Sequence, residues 1–187
     1  MFQTIGKYTA LCGSTLLIAM AAATVHAADG QVEFTGSVND NACTINSESV
    51  KKSVDMGQVR IADFPNTVGA VATSGATPFS ISLENCSGST LKNASIKFSG
   101  QQAMNDPTLL GMTGENQVTG IGIQISDVKS NIKLALNTAS PDYELRPQGN
   151  TFDFKATYVR LVADTGGVSG IGTGKVNALA SFDVTYK

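Results

Sequence analysis

The sequence predicts an all-β domain in which antiparallel strands form a sandwich or a barrel. Three observations support this class. Apolar residues alternate with polar ones in many short runs, turn-forming residues separate the runs, and no stretch keeps a helical apolar period for three turns. Only 15% of the 187 residues are charged, while 19 are glycine, and the length fits one domain. Because each run has one polar face, we expect antiparallel sheets with one side in water.

The first 27 residues have the pattern of a secretory signal peptide. Lys7 lies near the start, the stretch from Ala10 to Val25 is mostly apolar and small, and Val25-His26-Ala27 resembles a cleavage site. The alternative, a transmembrane anchor, needs about 20 apolar residues, and this stretch is shorter. We therefore expect cleavage after Ala27.

The predicted mature chain keeps two cysteines and loses its only histidine, because Cys12 and His26 precede the cleavage site. In an oxidising compartment Cys43 and Cys86 most simply form one disulfide. The alternative is two free thiols that act as metal ligands or nucleophiles. Without histidine, the chain lacks the usual nucleophilic triads and zinc sites. A catalytic pair of carboxylates stays possible, but the acidic residues are scattered along the sequence, and we expect no enzyme activity, metal or cofactor. A net charge of −2 argues against nucleic-acid binding.

The alternating runs predict the strands in chain order. They cover residues 32–38, 50–56 (with Val59 off the alternation), 79–83, 94–98, 121–125, 132–136, 152–156 and 176–186. Residues 101–117 are predicted to form a loop that holds at most a short strand near 109–112. The glycine-rich stretch 166–174 is predicted to be a flexible loop, because a strand pattern follows it where a nucleotide-binding loop needs a helix.

The strand 32–38 lies almost at the start of the predicted mature chain. Its apolar row consists of Val32, Phe34, Gly36 and Val38, and the glycine fits a place where another backbone comes close. The residues alone leave two interpretations open. The segment is either the first strand of the domain's own sandwich or an arm that adds to the sheet edge of another molecule.

Five features in chain order carry a resemblance to a known family. They are residues 30–38 followed by Ala42-Cys43-Thr44-Ile45, residues 54–59, the strand 79–86 with the second cysteine, residues 152–158, and an alternating C-terminal strand. In the last of these, Gly174 is fourteenth from the end and Tyr186 is penultimate. Together these features resemble the pilin subunits of chaperone–usher fimbriae.

The resemblance implies an incomplete immunoglobulin-like β-sandwich that lacks its last strand, is completed by a donor strand, and carries one disulfide. It divides the chain into a signal peptide (1–27), an N-terminal donor-strand extension (28–42) and a pilin domain (43–187). The implied partners are a periplasmic pilus chaperone, an outer-membrane usher and neighbouring pilin subunits. The implied product is an extracellular fimbrium that is reached through the periplasm and supports adhesion.

The resemblance also assigns roles to residues. The donor strand would comprise Val32, Phe34, Gly36 and Val38. The strand 178–186 would line the groove and pair with the chaperone, which would grip the C-terminal carboxylate of Lys187. The residues expected in this groove strand or at its ends are Gly174, Ala180, Phe182, Val184, Tyr186 and Lys187.

Two other classes of protein share part of this pattern. A small outer-membrane β-barrel would share the export signal and the alternation, but aromatic residues are only 6%, too few for its interfacial girdles. A secreted carbohydrate-binding protein or enzyme that uses carboxylates would need a preformed cleft. Within the fimbrial interpretation, the arm and the single-domain length favour a shaft or adaptor subunit over a terminating subunit or a tip adhesin.

Overall fold

Ten β-strands and two short helical turns make up the described part of the protein, residues 43–86 and 92–187 of a computed structural model. The strands are β1 (Thr44–Ile45), β2 (Thr77–Glu84), β3 (Asn93–Gly100), β4 (Gln102–Ala103), β5 (Asp106–Leu110), β6 (Ile121–Asp127), β7 (Lys133–Leu134), β8 (Tyr143–Glu144), β9 (Gly149–Arg160) and β10 (Ala180–Tyr186). The helical turns are α1 (Ser47–Val50) and a 3₁₀ turn at Ile61–Asp63. The predicted signal peptide and the predicted strand 32–38 lie outside the described residues.

The strands form two sheets. In the larger sheet the order is β1-β2-β9-β6-β5-β4, with β7 also paired to β6, and in the smaller sheet it is β10-β3-β8. All ladders between these strands are antiparallel, as the alternating pattern predicts. Four predicted strands, 79–83, 94–98, 121–125 and 152–156, lie within β2, β3, β6 and β9 respectively.

The core lies between the two sheets and consists of the alternating apolar residues. Its buried members from the long strands include Ile81, Leu83, Ile96, Phe98, Ile123, Ile125, Phe152 and Phe154. Phe98 of the smaller sheet meets Phe154 of the larger one edge to face, with ring centroids 5.1 Å apart. The even-numbered row of β9 and the matching rows of its neighbours therefore hold the two sheets together.

Part of the outer face of the larger sheet is shielded from water. Every residue of β6 is buried. A second apolar cluster of Ala103, Leu109, Val159 and Leu161 covers the outer side, where β4 and β5 fold over the end of the sheet. The expectation of one side in water is therefore wrong for β6, because a hairpin within the predicted loop 101–117 covers the outer face of that strand.

The disulfide prediction is confirmed: Cys43 and Cys86 are bonded and both are buried. The bond closes the end of the sheet where β1 pairs with Leu83 and Glu84 of β2. The alternative of two free thiols is thereby wrong. Directly after β1, the Asn46 side chain accepts a hydrogen bond from the Glu48 amide (2.9 Å) and caps α1.

The predicted strand at 50–56 differs from the structure. Val50 ends α1, and residues 51–60 belong to no helix or strand among the described residues. The alternation itself is real, since Val54 and Met56 are half-buried between exposed neighbours. What the segment lacks is a paired strand beside it. No helix within the described ranges is both long and apolar enough to cross a membrane.

Candidate functional site

An open groove of about 1280 Å³ separates β10 from the segment Lys51–Gly57. Side chains of both sheets line it, so the groove opens directly onto the core. Its apolar lining includes Phe79, Ile81, Phe98, Ile123, Ile125 and Ala156. Apolar surface of this kind that is left open at a sheet edge is normally covered by another polypeptide.

The first bank of the groove is β10. It pairs with β3 along its whole length, with Phe182 opposite Phe98 and Val184 opposite Ile96. Among the strands that the structure describes, it has no partner on its other side. Its residues alternate strictly between half-buried and exposed, and the half-buried row packs against the core. The free edge of β10 is therefore seven residues long, and the first three of these residues line the groove.

The second bank is the extended segment 51–57. Within the described part of the chain, no main-chain hydrogen bond joins this segment to a strand. One local bond is present, from the Gly57 amide to Asp55 Oδ1 (2.9 Å). Met56 packs against the core, Val54 is half-buried and lines the groove, and Leu179 is 72% exposed near the opposite bank. Two unpaired banks above an apolar lining can accept an extended peptide by main-chain hydrogen bonds and by side chains in alternate pockets.

A tyrosine lies at the end of β10 near the disulfide. The Tyr186 hydroxyl donates a hydrogen bond to the Cys43 carbonyl oxygen (3.3 Å), and its ring packs against the core. Burial raises the pKa of Tyr186, so the phenol stays protonated and remains a donor at neutral pH. This bond links the end of β10 to the residue that precedes β1.

A second tyrosine, Tyr158 of β9, lines the groove from the core side. It is 2% exposed, its ring lies 6.4 Å from that of Phe64, and its hydroxyl has no hydrogen-bond partner in the described structure. Burial and, second, the negative charge of Asp55 raise the pKa of Tyr158. The hydroxyl is therefore a protonated donor without an acceptor. A buried polar group of this kind is unusual in a folded domain.

Gly174 lies before β10 and is not part of the groove lining. Its Cα faces the main chain at Gln117 and Val118, so a Cβ there would overlap the Val118 amide nitrogen. Lys175 forms an isolated parallel bridge with Gln117, and its carbonyl accepts from the Val118 amide (2.9 Å). Gly174 therefore permits the close approach that fixes where the C-terminal strand begins.

Lys187 closes the other end of the strand. Its carbonyl oxygen accepts from the amides of Lys92 (2.8 Å) and Asn93 (3.0 Å), and its Nζ pairs with Asp142 Oδ1 (2.7 Å). Of the residues expected around the groove, Ala180 and Phe182 line it, while Val184 and Tyr186 continue the same half-buried row. Gly174 and Lys187 flank that row, and the predicted donor residues 32–38 lie outside the described residues.

Sequence reasoning did not identify the second bank or Tyr158. The sequence does contain a signal for the second bank, because Val54 and Met56 alternate with polar neighbours. In the structure these residues follow the end of α1 and remain extended. Nothing in the sequence distinguished Tyr158 from an ordinary aromatic core residue, because it lies in a regular strand, β9. In the described ranges, no group of three His, Cys, Asp or Glu side chains could hold a metal ion.

Comparisons with known proteins agree on one family. The family model for fimbrial proteins matches residues 32–187. The chain is 34% identical over 174 residues to the probable major fimbrial subunit LpfA of Escherichia coli O157:H7, covering 91% of this chain and 92% of that protein. It is 33% identical over 177 residues to the fimbria A protein of Serratia marcescens, covering 93% and 95%.

Solved structures show the same fold. A subunit in a chaperone–usher pilus superposes with a TM-score of 0.65 at 22% identity, covering 89% of this chain and all of that one. The P pilus rod subunit PapA gives 0.62 at 19% identity, with 79% and 100% coverage. A Burkholderia pseudomallei antigen and type I fimbria protein gives 0.56 at 31% identity, with 82% and 94% coverage. The fold is thus the expected incomplete immunoglobulin-like sandwich, and neither alternative class is favoured.

The matched range takes in the groove, both banks and the disulfide. Members of this family are structural and do not catalyse reactions, and fimbrial subunits form fibres at the cell surface. The chain therefore belongs to the fimbrial protein family and is a structural pilin subunit.

Proposed function

We propose that this subunit polymerises by donor-strand exchange, in which its groove accepts the N-terminal arm of a neighbouring copy. The observation that carries the proposal is the free edge of β10 opposite the unpaired segment 51–57, with open core between them. The arm is the extension 28–42, which follows the signal peptide 1–27 and precedes the pilin domain 43–187. Its apolar row of Val32, Phe34, Gly36 and Val38 has the period of a strand.

The energetics favour such an exchange. Burial of Val32, Phe34 and Val38 would each contribute about 1.5–3 kcal/mol, or about 5–9 kcal/mol together. Part of this is offset by the cost of ordering an extended segment. Gly36 leaves room at one position in the row for the neighbouring backbone or for a bulky side chain of the groove.

Before assembly, the open groove needs a temporary occupant. A long, apolar strand edge is an aggregation hazard. In our proposal a periplasmic pilus chaperone lends a strand that pairs with residues 178–186, and an outer-membrane usher exchanges it for the arm of the next subunit. Basic chaperone residues contact the carboxylate of Lys187, one oxygen of which already accepts from two main-chain amides. The subunit thus travels through the periplasm to an extracellular fimbrium that supports adhesion.

The decisive variant places a charge in the apolar row of the arm. Phe34→Asp should leave the chaperone-bound subunit at its normal level but prevent fibre formation, because a carboxylate cannot be buried in an apolar groove without a partner. The matched control is Thr35→Asp, which adds the same charge at the adjacent position on the outward face. Electron microscopy of surface fibres distinguishes the two variants. Normal fibres from Phe34→Asp would overturn the proposal.

A second pair of variants tests the chaperone's contact with β10. Tyr186→Ala removes a half-buried ring and its bond to Cys43, whereas Thr185→Ala trims an exposed neighbour. We expect Tyr186→Ala alone to lower the yield of chaperone-bound subunit in the periplasm. Equal yields from both variants would argue that the chaperone does not use this end of the strand.

A further inference from the structure

The segment 51–57 forms the second bank of the groove and is held by what comes before and after it. Before it, α1 is bonded to β2. After it, the Asp63 carbonyl oxygen accepts from the Thr73 amide (2.8 Å). Between these anchors Met56 packs against the core, but no main-chain hydrogen bond joins the segment to a strand in the described ranges. The position of the second bank therefore depends on its two anchors.

The first anchor takes the place of a strand pairing. Beyond β1, the Asn46 amide donates to the Ser82 carbonyl oxygen (2.9 Å), as it would in a regular antiparallel ladder. The regular ladder also needs the return bond, from the Ser82 amide to the Asn46 carbonyl. That carbonyl accepts instead from the Ser49 and Val50 amides of α1. The hydroxyl of Ser49, a residue that is 3% exposed, accepts from the Ser82 amide at 2.9 Å and so replaces the carbonyl.

This replacement decides where the chain goes next. β1 pairs residue 44 with residue 84 and residue 45 with residue 83. If the ladder continued in that register, Lys51 would lie opposite Thr77, the first residue of β2. The second bank would then extend from the edge of the larger sheet and would not face β10. Because α1 ends the ladder at Ser82, residues 51–57 lie beside the groove.

The remaining edge of β2 discourages the same ladder. Main-chain groups of alternate residues face one side of an antiparallel strand, so beyond Ser82 those that face this edge belong to Ser80 and Pro78. Proline has no amide, and within sheets it is typical of an unpaired edge. The edge therefore offers the segment only one further donor, the Ser80 amide.

We propose that Ser49 is a positioning residue for capture of the donor arm. Its hydroxyl replaces a main-chain acceptor, ends the β1–β2 ladder, and directs the segment 51–57 to face the free edge of β10. The proposal rests on donor-strand exchange and adds to it the means by which the second bank is kept available. A groove that is formed only part of the time binds in proportion to that fraction, so a bank already in position strengthens binding.

The test uses fibres assembled in cells from the full chain and measures the rate of monomer release in guanidinium. Ser49→Ala removes the acceptor of the Ser82 amide. It should speed release about threefold to tenfold, the range for loss of one neutral hydrogen bond. The matched control is Ser140→Ala, because the buried Ser140 hydroxyl accepts from the Ile96 amide at the same 2.9 Å and lies outside the groove lining. The control should destabilise the subunit to a similar degree but leave release near the wild-type rate.

Hydrogen exchange in the same fibres separates positioning from a general loss of stability. In wild-type fibres the amides of residues 51–57 should be protected, because the inserted arm supplies their acceptors. Ser49→Ala should weaken this protection, while Ser140→Ala should keep it. Equal release rates or equal protection of residues 51–57 in the two variants would overturn the role of Ser49.

A second pair of variants decides the question if Ser49→Ala subunits form no fibres. Pro78→Val supplies the missing amide at the edge of β2, so the chain after β1 should pair there more often. Release should then be a few-fold faster, although valine favours a strand and should not destabilise the sheet. The control is Pro147→Val, at an exposed proline outside the groove lining. Equal release from the two proline variants would overturn the proposal.

The outcomes separate this proposal from the proposed function. If Phe34→Asp prevents fibres and Ser49→Ala fibres release monomer at the rate of the Ser140→Ala control, donor-strand exchange stands and the role of Ser49 is overturned. If Phe34→Asp fibres are normal, the groove is not filled by this arm and both proposals fail.

Discussion

The molecule treats its sheet edges in two different ways. The outer strands β1, β4 and β8 are two residues long each, and β4 is also interrupted by a register shift. β10 is seven residues long, regular, and carries a half-buried apolar row. Short and bulged edges are the usual means by which proteins avoid edge-to-edge association. The contrast indicates that the open edge of β10 is a specific site and the other edges are protected.

The largest expected effect comes from giving β10 a partner within its own chain. A variant with residues 28–42 appended through a flexible linker after Lys187 should fold without a chaperone and should no longer polymerise. Its free energy of unfolding should rise by up to about 5–9 kcal/mol, less the cost of ordering the arm. Urea unfolding followed by circular dichroism measures the change. The control is an appended arm that carries Phe34→Asp. Equal unfolding midpoints for the two appended arms would contradict the view that the edge of β10 is a specific binding site.

The next effect concerns the protected edge. The disulfide Cys43–Cys86 holds β1 on β2, and it closes a loop of 43 residue positions. Replacing both cysteines by serine in the self-complemented variant should cost roughly 4 kcal/mol in the chain-entropy model. Denaturant midpoints of the oxidised, reduced and serine forms check this. Reduction of the serine variant should change nothing, and a reduced wild-type form as stable as the oxidised one would contradict the prediction.

A smaller effect is expected where β10 begins. Gly174→Ala would push a methyl group into the main chain of Gln117 and Val118, and overpacking of this kind costs about 1–3 kcal/mol. The exposed neighbour provides the control, Thr173→Ala, which should be nearly neutral. Urea midpoints of the self-complemented variant compare the two. Equal midpoints would show that the bridge between residues 117 and 175 does not fix the strand.

The smallest effect is electrostatic. Lys51 and Lys52 line the groove, while the arm 28–42 carries Asp29, Glu33 and Asp40 and no basic residue. Replacing both lysines by glutamine should slow arm capture a few-fold at low salt and have no effect at high salt, because screening removes such steering. The rate at which an arm peptide displaces the chaperone gives the measurement. Lys129→Gln with Lys133→Gln makes the same charge change outside the groove lining and should leave the rate unchanged.

The sequence predicted the long strands and the disulfide because each has a local signal. Residues 79–83, 94–98, 121–125 and 152–156 alternate cleanly, and the mature chain offers one pair of cysteines. The hairpin β4–β5 was predicted as a loop because its outer-face contacts with Val159 and Leu161 come from distant sequence. The period-two alternation predicted the C-terminal strand. It could not predict that this strand pairs on one side only, because strand pairing depends on the sheet topology.

The glycine-rich stretch before β10 shows why the rest could not be predicted. Gly170, Gly172 and Gly174 lie two apart, and each has its Cα against another main chain or a side chain, at Ala163, Thr119 and Val118. The spacing in the sequence suggested a flexible loop. At Gly172 and Gly174 the packing is decided by close approach to a segment that lies more than 50 residues earlier in the chain, and no local pattern records it. In the same way, the missing acceptor of Tyr158 becomes visible only when the surroundings of its hydroxyl are known.

The position of the disulfide has a mechanical consequence for a fibre of the proposed kind. Tension that arrives along the arm reaches the folded domain at Cys43, the first residue after the extension. The bond to Cys86 passes this force directly to the end of β2, whose eight residues are paired to β9. The force therefore need not run through the two-residue β1, the helical turn or the bank 51–57. In the proposed fibre, a pull on the shaft would load the eight-residue ladder between β2 and β9 and spare the segment 51–57, which borders the groove for the next subunit's arm.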